Sequence, residues 1–298
     1  MVLIKHLTRI LGLCVALCAP LAVQAAASQP PVVFVLAAGN KVVVTNHKGQ
    51  RYSALPTQRL SQGHEVQVPK GQRFSVVVLN TGNRRVYWGP AKLRVIADTV
   101  RVLKGPAVKV FPLDQADQDL IEQWLVYYPR KRPQAETADK PVEESATLHA
   151  LAPREGAMLL TRNPEFRFEG KLPREGNLML FDGRGKRFWV EPLEDHWLTL
   201  PPAADFQWGQ QFTWEVRKLT GGRVASGSFS IASEETARSL LAARIPDLPG
   251  SLPESRALYG MRLQLAKAYT EADEVWHSLG LSMDEAGQPH RLNKPASR

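Results

Sequence analysis

Short β-branched runs, each closed by a glycine- or asparagine-bearing turn, constrain this chain more than any other feature. Residues 32–36 and 41–45 are two such runs, and Asn46-His47-Lys48-Gly49 closes the second. His64-Glu65-Val66-Gln67-Val68 alternates, Lys70-Gly71 turns, and residues 74–79 are apolar. Thr81-Gly82-Asn83 turns again into Arg85-Val86-Tyr87-Trp88, and runs at 91–96 and 99–103 follow. Parallel strands need a crossover of a dozen or more residues, and these gaps are too short for one. The spacing predicts a compact antiparallel domain.

A helix is expected next. Asp114 suits an N-cap, and Leu120, Ile121, Trp124, Leu125 and Tyr128 fall on one helical face before Pro129 stops it. Residues 130–147 are polar, carry Pro133 and Pro141, and read as a linker. Alternation then returns in Phe166 and Phe168, Leu178 and Leu180, and Phe212, Trp214 and Val216. Asp182-Gly183-Arg184-Gly185 and Gly221-Gly222 supply hairpin turns, so this stretch predicts a β-sandwich of about seven short strands. From Ser233, a second N-cap followed by Glu234 and Glu235, the pattern is helical. Residues 255–279 read as a helical hairpin that caps the sandwich, and the polar tail after Gly280 as mobile.

The expected fold is therefore mainly β: a small antiparallel β domain plus a β-sandwich, with a linking helix and C-terminal helices. The boundaries are 28–112 for the first domain, 113–147 for helix and linker, 148–232 for the sandwich, and 233–298 for the helical segment and tail.

Residues 1–27 stand apart. Lys5 and Arg9 precede an apolar stretch at 10–23, and Val23-Gln24-Ala25 and Ala25-Ala26-Ala27 fit a small-x-small cleavage site. This predicts a cleavable signal peptide and a periplasmic protein. The apolar stretch is short and broken by Pro20 and Gln24, so no stable membrane span is expected after cleavage. Leu13 and Leu17 precede Cys14 and Cys18, where a lipoprotein anchor wants a small residue. Those are the only two cysteines. Removing them leaves a chain without disulfides, thiolate metal sites or cysteine nucleophiles.

Charge is uneven. Residues 28–112 hold thirteen Lys or Arg against only Glu65 and Asp98, whereas residues 113–298 hold 23 basic and 27 acidic residues. An exported basic module meets no genomic nucleic acid. Its natural partners are phospholipid head groups, lipopolysaccharide, acidic glycans and acidic protein faces. The alternative is that the cations only protect β edges from aggregation.

Residues 39–96 resemble the FecR-type periplasmic domain. The resemblance rests on Leu60-Ser61-Gln62-Gly63, Val66 and Val68, Gly71, Gly82, and Gly89-Pro90-Ala91 before Leu93 and Val95. In regulators of that family the domain lies outside an inner-membrane helix with a cytoplasmic anti-sigma segment before it; here a signal peptide is expected instead. The resemblance implies envelope sensing or binding rather than a direct transcriptional role. Residues 148–232 are similar to a fibronectin type III or immunoglobulin-like domain, on Asn163-Pro164-Glu165-Phe166-Arg167-Phe168 and Trp208-Gly209-Gln210-Gln211-Phe212-Thr213-Trp214-Glu215-Val216. Residues 255–279 resemble one tetratricopeptide-type hairpin, too little for an array.

Catalytic and metal chemistry find no anchor. No His-x-x-x-His pair occurs, and Glu274-x-x-His277 lacks the second pair that a carboxylate-bridged di-metal bundle needs. His64-Glu65 and Asp195-His196 are neighbours that a strand sends to opposite faces, and the histidines read as surface or turn residues. Gly227-Ser228-Phe229-Ser230 lies in a strand, not at a nucleophile elbow, and Glu143-Glu144 and Glu234-Glu235 sit in a linker and at a helix start. No enzyme, cofactor or metal is expected.

The candidate is a binding surface formed by Arg84, Arg85, Tyr87 and Trp88, where cations stand beside aromatics. In a strand, Arg85 and Tyr87 share one face while Arg84, Val86 and Trp88 share the other. A glycan could stack on an exposed ring and pair with arginine; alternatively Trp88 belongs to the core, the reading preferred for that ring. Trp189, Trp197, Trp208 and Trp214 are expected in the sandwich core. Two functions follow: a scaffold or sensory accessory docking an envelope protein through the basic domain, or a lectin-like binder of peptidoglycan or anionic surface polysaccharide.

Overall fold

The computed structural model describes residues 30–128, 148–201, 204–243, 252–283 and 289–292. The signal-peptide and polar-linker readings lie outside these residues. Within them the chain is mainly β, in largely antiparallel sheets, with four helices.

Ten strands build the first module. They are β1 (Pro31–Ala38), β2 (Val43–Thr45), β3 (Arg51–Ser53), β4 (Arg59–Ser61) and β5 (Glu65–Val68), then β6 (Arg73–Val78), β7 (Asn83–Trp88), β8 (Ala91–Val95), β9 (Val100–Lys104) and β10 (Lys109–Pro112). They form two five-stranded sheets, one ordered β10-β7-β6-β1-β4 and the other β3-β2-β5-β8-β9. The turns follow from their residues. Asn46 Oδ1 accepts from the Lys48 and Gln50 amides at 2.9 and 3.0 Å, and Gly49 takes a φ of 77°. Between the sheets lies a core of Val33, Val35, Val44, Leu60, Val66, Phe74, Val76, Tyr87, Leu93 and Val95, among others.

β1 explains its own composition. Val33 and Val35 enter the core between the sheets, while Phe34 and Leu36 face away from it and are equally buried. A strand covered on both sides must be apolar throughout rather than alternating. What covers its second side is helical. Helix α1 (Gln115–Tyr127) starts at Asp114, whose Oδ1 accepts from the Asp117 amide at 2.8 Å.

The second module comprises β11 (His149–Ala152), β12 (Ala157–Leu159), β13 (Glu165–Glu169), β14 (Gly176–Asp182), β15 (Arg187–Pro192), β16 (Trp197–Thr199), β17 (Gln211–Lys218) and β18 (Arg223–Ile231). They form a three-stranded sheet, β11-β13-β16, and a five-stranded sheet, β12-β18-β17-β14-β15. Only the β12–β18 pairing is parallel. The core between these sheets is aromatic: Phe212 stacks on Phe229 at 5.4 Å, and Trp214 meets Phe166 and Phe168 edge-on at 6.1 and 5.7 Å. At the β14–β15 turn, Asp182 Oδ1 accepts from the Arg184 and Lys186 amides.

Helix α2 (Glu234–Ala242) begins at Ser233, whose hydroxyl accepts from the Thr236 amide at 3.1 Å. Helices α3 (Pro253–Leu265) and α4 (Tyr269–Ser278) follow, then the antiparallel pair β19 (Leu281–Met283) and β20 (Pro289–Arg291). The α3–α4 hairpin does more than cap the sandwich. Its Ala257, Met261, Leu263, Ala272 and Trp276 share a third core with Phe34, Leu36 and Val77 of the first module, Leu120, Ile121 and Trp124 of α1, and Leu160 and Ala232. The tail expected to be mobile is partly structured: Leu281 is in that core, and Arg291 donates to the Ala54 carbonyl at 3.1 Å.

Trp276 is the largest fully buried side chain there. Its indole N–H donates to Gln264 Oε1 at 3.1 Å, its ring lies 6.4 Å from Trp124, and a Cβ on Gly260 would fall 3.0 Å from its Cζ2. Trp276→Ala is expected to cost about 3–5 kcal/mol. Because that core joins both β modules, calorimetry of the variant is expected to resolve two unfolding transitions where the parent has one.

Helix α4 also carries a half-buried carboxylate against Leu160. Burial pushes Glu271 above its ordinary value of 4.5, opposed by hydrogen bonds from its own amide and that of Leu160. A raised folded-state value means stability present in full below pH 4.5 and lost as pH climbs through the folded value. Glu271→Gln keeps an uncharged acceptor. It is expected to melt higher than the parent at pH 7, with the gap closing below pH 4.5.

Candidate functional site

Strand β7 sends its residues to two sides, as alternation requires. Tyr87 points into the core between the sheets, is only 2% exposed, and lies 6.3 Å from the Phe74 ring. Tyr87 is therefore removed from the candidate binding surface. Burial raises its phenol, opposed by the Arg85 charge on the same side of the strand. Arg84, on the opposite side, lies with its guanidinium 4.8 Å from the Phe111 ring of β10. Both arginines are half-buried.

Trp88 is not a core residue: it is 45% exposed. Arg73, its cross-strand partner, sits over the indole at 5.4 Å. The same guanidinium reaches Glu254, in the first turn of α3, at 2.6 Å. The Glu254 side chain is wholly buried, so this ion pair locks α3 to β6. Thus the four residues singled out on β7 do not form one patch; they are divided between a core, an edge and a helix junction.

A different cationic surface is present on the same module. The face of the β3-β2-β5-β8-β9 sheet turned away from the core carries the residues that alternate with its buried ones. Register assembles them into two rows across the strands. One reads Arg51, Thr45, Glu65, Arg94, Arg101, and the other Ser53, Val43, Gln67, Lys92, Lys104. Arg94 stands directly opposite Arg101, and Lys92 opposite Lys104. Directly opposed Cα atoms are about 4.5–5.5 Å apart. Like charges so placed destabilise a sheet.

Glu65 is the single carboxylate in the two rows, and two cations already engage it. Lys92 Nζ lies 3.0 Å from Oε2, and Arg94 Nε donates to Oε1 at 3.1 Å. The Arg94 and Lys92 hydrogen bonds hold Glu65 below the ordinary carboxylate range. Arg51, Arg101 and Lys104 have no carboxylate partner among the described residues, and all three are exposed.

In the second module, Trp214 is buried as expected, and Trp189 and Trp208 pack partly against the core. Trp197 is 57% exposed, with Arg167 over its ring at 4.7 Å, which corrects the core expectation. His64 is also a correction, being buried with Nδ1 2.8 Å from the Ser61 carbonyl across the β4–β5 turn. Glu65 does face the other way. His277 Nδ1 lies 2.7 Å from the Asp273 carbonyl one turn earlier in α4. No group of three or more potential metal ligands occurs among the described residues. None of their helices is long and apolar enough to cross a membrane.

No protein-family model matches the chain, and a search of curated proteins finds no match either.

The Arg73–Glu254 pair generates a test of what holds this surface in place. Removing one partner of a buried pair leaves an uncompensated charge, which costs about 3–5 kcal/mol. Arg73→Ala is expected to lower the urea midpoint accordingly. Adding Glu254→Met to that variant is expected to restore most of the loss, since no buried carboxylate then remains.

Proposed function

We propose that this chain is a non-enzymatic binding protein of the bacterial envelope that docks an anionic partner through its basic β module. The observation that carries the reading is the outward face of the β3-β2-β5-β8-β9 sheet, where five exposed cations accompany one carboxylate that is already paired. Such a face attracts polyanions by its field and holds them by charge-assisted hydrogen bonds. Specificity then comes from the spacing of the cations, and the association rate from steering.

The resemblance of residues 39–96 to FecR-type periplasmic domains supports a place in envelope sensing or scaffolding. The expected signal peptide supports the periplasm as the compartment. In this reading the immunoglobulin-like sandwich and the helical layer form the body on which the basic module is mounted, and a second partner engages the sandwich by its edges or loops.

Binding by such a face is screened by salt, since the screening length falls from about 10 Å at 0.1 M to about 3 Å at 1 M. Retention of the purified protein on isolated bacterial envelopes is expected to be strong at about 0.1 M salt and largely lost at about 1 M. Retention indifferent to salt would overturn a charge-docked partner.

A further inference from the structure

Resting on the charge-docking reading, we infer that the occupant of this sheet face is a linear acidic polysaccharide lying across the strands, gripped at the β8–β9 end by Lys92, Arg94, Arg101 and Lys104. These four side chains occupy adjacent positions in the two rows, two on each strand. Their spacing is about 5 Å between strands and about 7 Å from Lys92 to Arg94 along β8, while Arg101 and Lys104 flank the irregularity on β9. With Glu65 counted, this corner carries a net charge of about +3, and two of its four cations have no ionic partner among the described residues. Folding alone does not favour setting arginine against arginine and lysine against lysine in register. An anion bridging the opposed pairs turns that repulsion into a site.

The rest of the face selects among anionic occupants. Beyond the corner the rows continue through Gln67, Thr45 and Ser53 to Arg51, all hydrogen-bonding groups except Val43. Neighbouring strands step by about 4.8 Å, close to the advance of one sugar ring in an extended chain. A polymer running along the rows therefore meets a polar or charged side chain at nearly every ring. A protein partner would want aromatic or aliphatic anchors at the centre of its footprint, and the rows offer only Val43, half-buried and off their centre. A lipid surface would want an inserted apolar group beside the cations. The exposed large apolar residues of this module are Trp88, Val110 and Phe111 on the other sheet and Leu103, a single side chain beside Lys104 at the irregularity on β9 and too little to anchor a bilayer contact. A hydrated polyanion needs only charge and hydrogen bonds.

The test uses the whole protein, with polygalacturonate as the probe, neutral dextran as its uncharged counterpart and phosphatidylglycerol vesicles as the lipid alternative. Arg101→Gln with Lys104→Gln removes the two unpaired cations of the corner. Lys41→Gln with Lys48→Gln removes the same charge from the turns flanking β2. All four positions are exposed, and equal melting temperatures confirm that both variants fold. Polygalacturonate is expected to bind in a salt-sensitive way where dextran does not. The corner variant is expected to lose about tenfold in affinity, and the turn variant to remain close to the parent. Equal losses in both variants would reduce the site to net charge and overturn it. Vesicle binding without polygalacturonate binding would make the partner a bilayer and overturn the polysaccharide. If polygalacturonate does not bind but envelope retention still falls in the corner variant, the occupant is an acidic protein; the polysaccharide then fails while charge docking stands. Envelope retention unchanged in the corner variant would remove the face from both.

Discussion

The burial of Trp276 is the interaction on which the rest of this molecule depends. Its ring fills the space that Gly260 leaves open and sits beside Trp124, with its N–H satisfied by Gln264. An indole so placed needs apolar neighbours on every side. The chain supplies them from its first strand, its first helix, the sandwich and the C-terminal hairpin. Each β module has an internal core of its own, but the helices have none without this junction. Eight of the thirteen residues of helix α3 are buried for the same reason. The Arg73–Glu254 pair sits at the rim of the junction and resists sliding of α3 along β6, because any shift would strand a carboxylate away from water.

Much of this architecture was legible residue by residue. Alternation in Glu65-Val66-Gln67-Val68 and in Phe212, Trp214 and Val216 marks half-buried strands, and Asp114 and Ser233 mark helix starts; both caps are present with the expected side-chain bonds. Where local pattern misleads, the reason is a partner distant in sequence. The unbroken apolar run of β1 says only that both its faces are covered, not that α3 covers one. Trp88 and Trp197 look like core because tryptophan usually is. Each instead lies exposed under an arginine from the neighbouring strand, Arg73 or Arg167, and a cation over the ring makes that position tolerable. His64 is buried where a surface histidine was expected, because the turn carbonyl of Ser61 gives its ring a partner.

The candidate site shows the same limit more sharply. Arg84-Arg85-Val86-Tyr87-Trp88 stands out in one dimension because cations and aromatics are adjacent, yet adjacency in a strand means opposite faces, and Tyr87 is lost to the core. The basic face is spread over five strands, its cations on three of them, and looks unremarkable in any one of them. Ala91-Lys92-Leu93-Arg94-Val95 alternates plainly, and the excess of cations over residues 28–112 is countable. What no local pattern states is the register that sets Arg94 against Arg101 and Lys92 against Lys104. Register is a property of pairing, and pairing is where a linear reading stops.

The two outer surfaces of the first module have unequal fates, and this follows from the buried junction. The sheet containing β1 and β6 gives its outward face to the helices: Phe34, Leu36 and Val77 are covered, and Arg73 is spent on Glu254. Among the described residues the other sheet receives no such layer, and its outward cations are exposed. Charge is distributed accordingly. The arginines on the covered sheet are half-buried and tied to Glu254, Phe111, the Leu125 carbonyl or the neighbourhood of Tyr87, so altering them perturbs packing before it perturbs any ligand. Among the described residues the cations on the open sheet have Glu65 as an ionic partner or none, so they can exchange water for an anion without moving a core residue. The helical layer that binds the modules together thus leaves the opposite sheet, the one proposed to dock a partner, with its cations exposed.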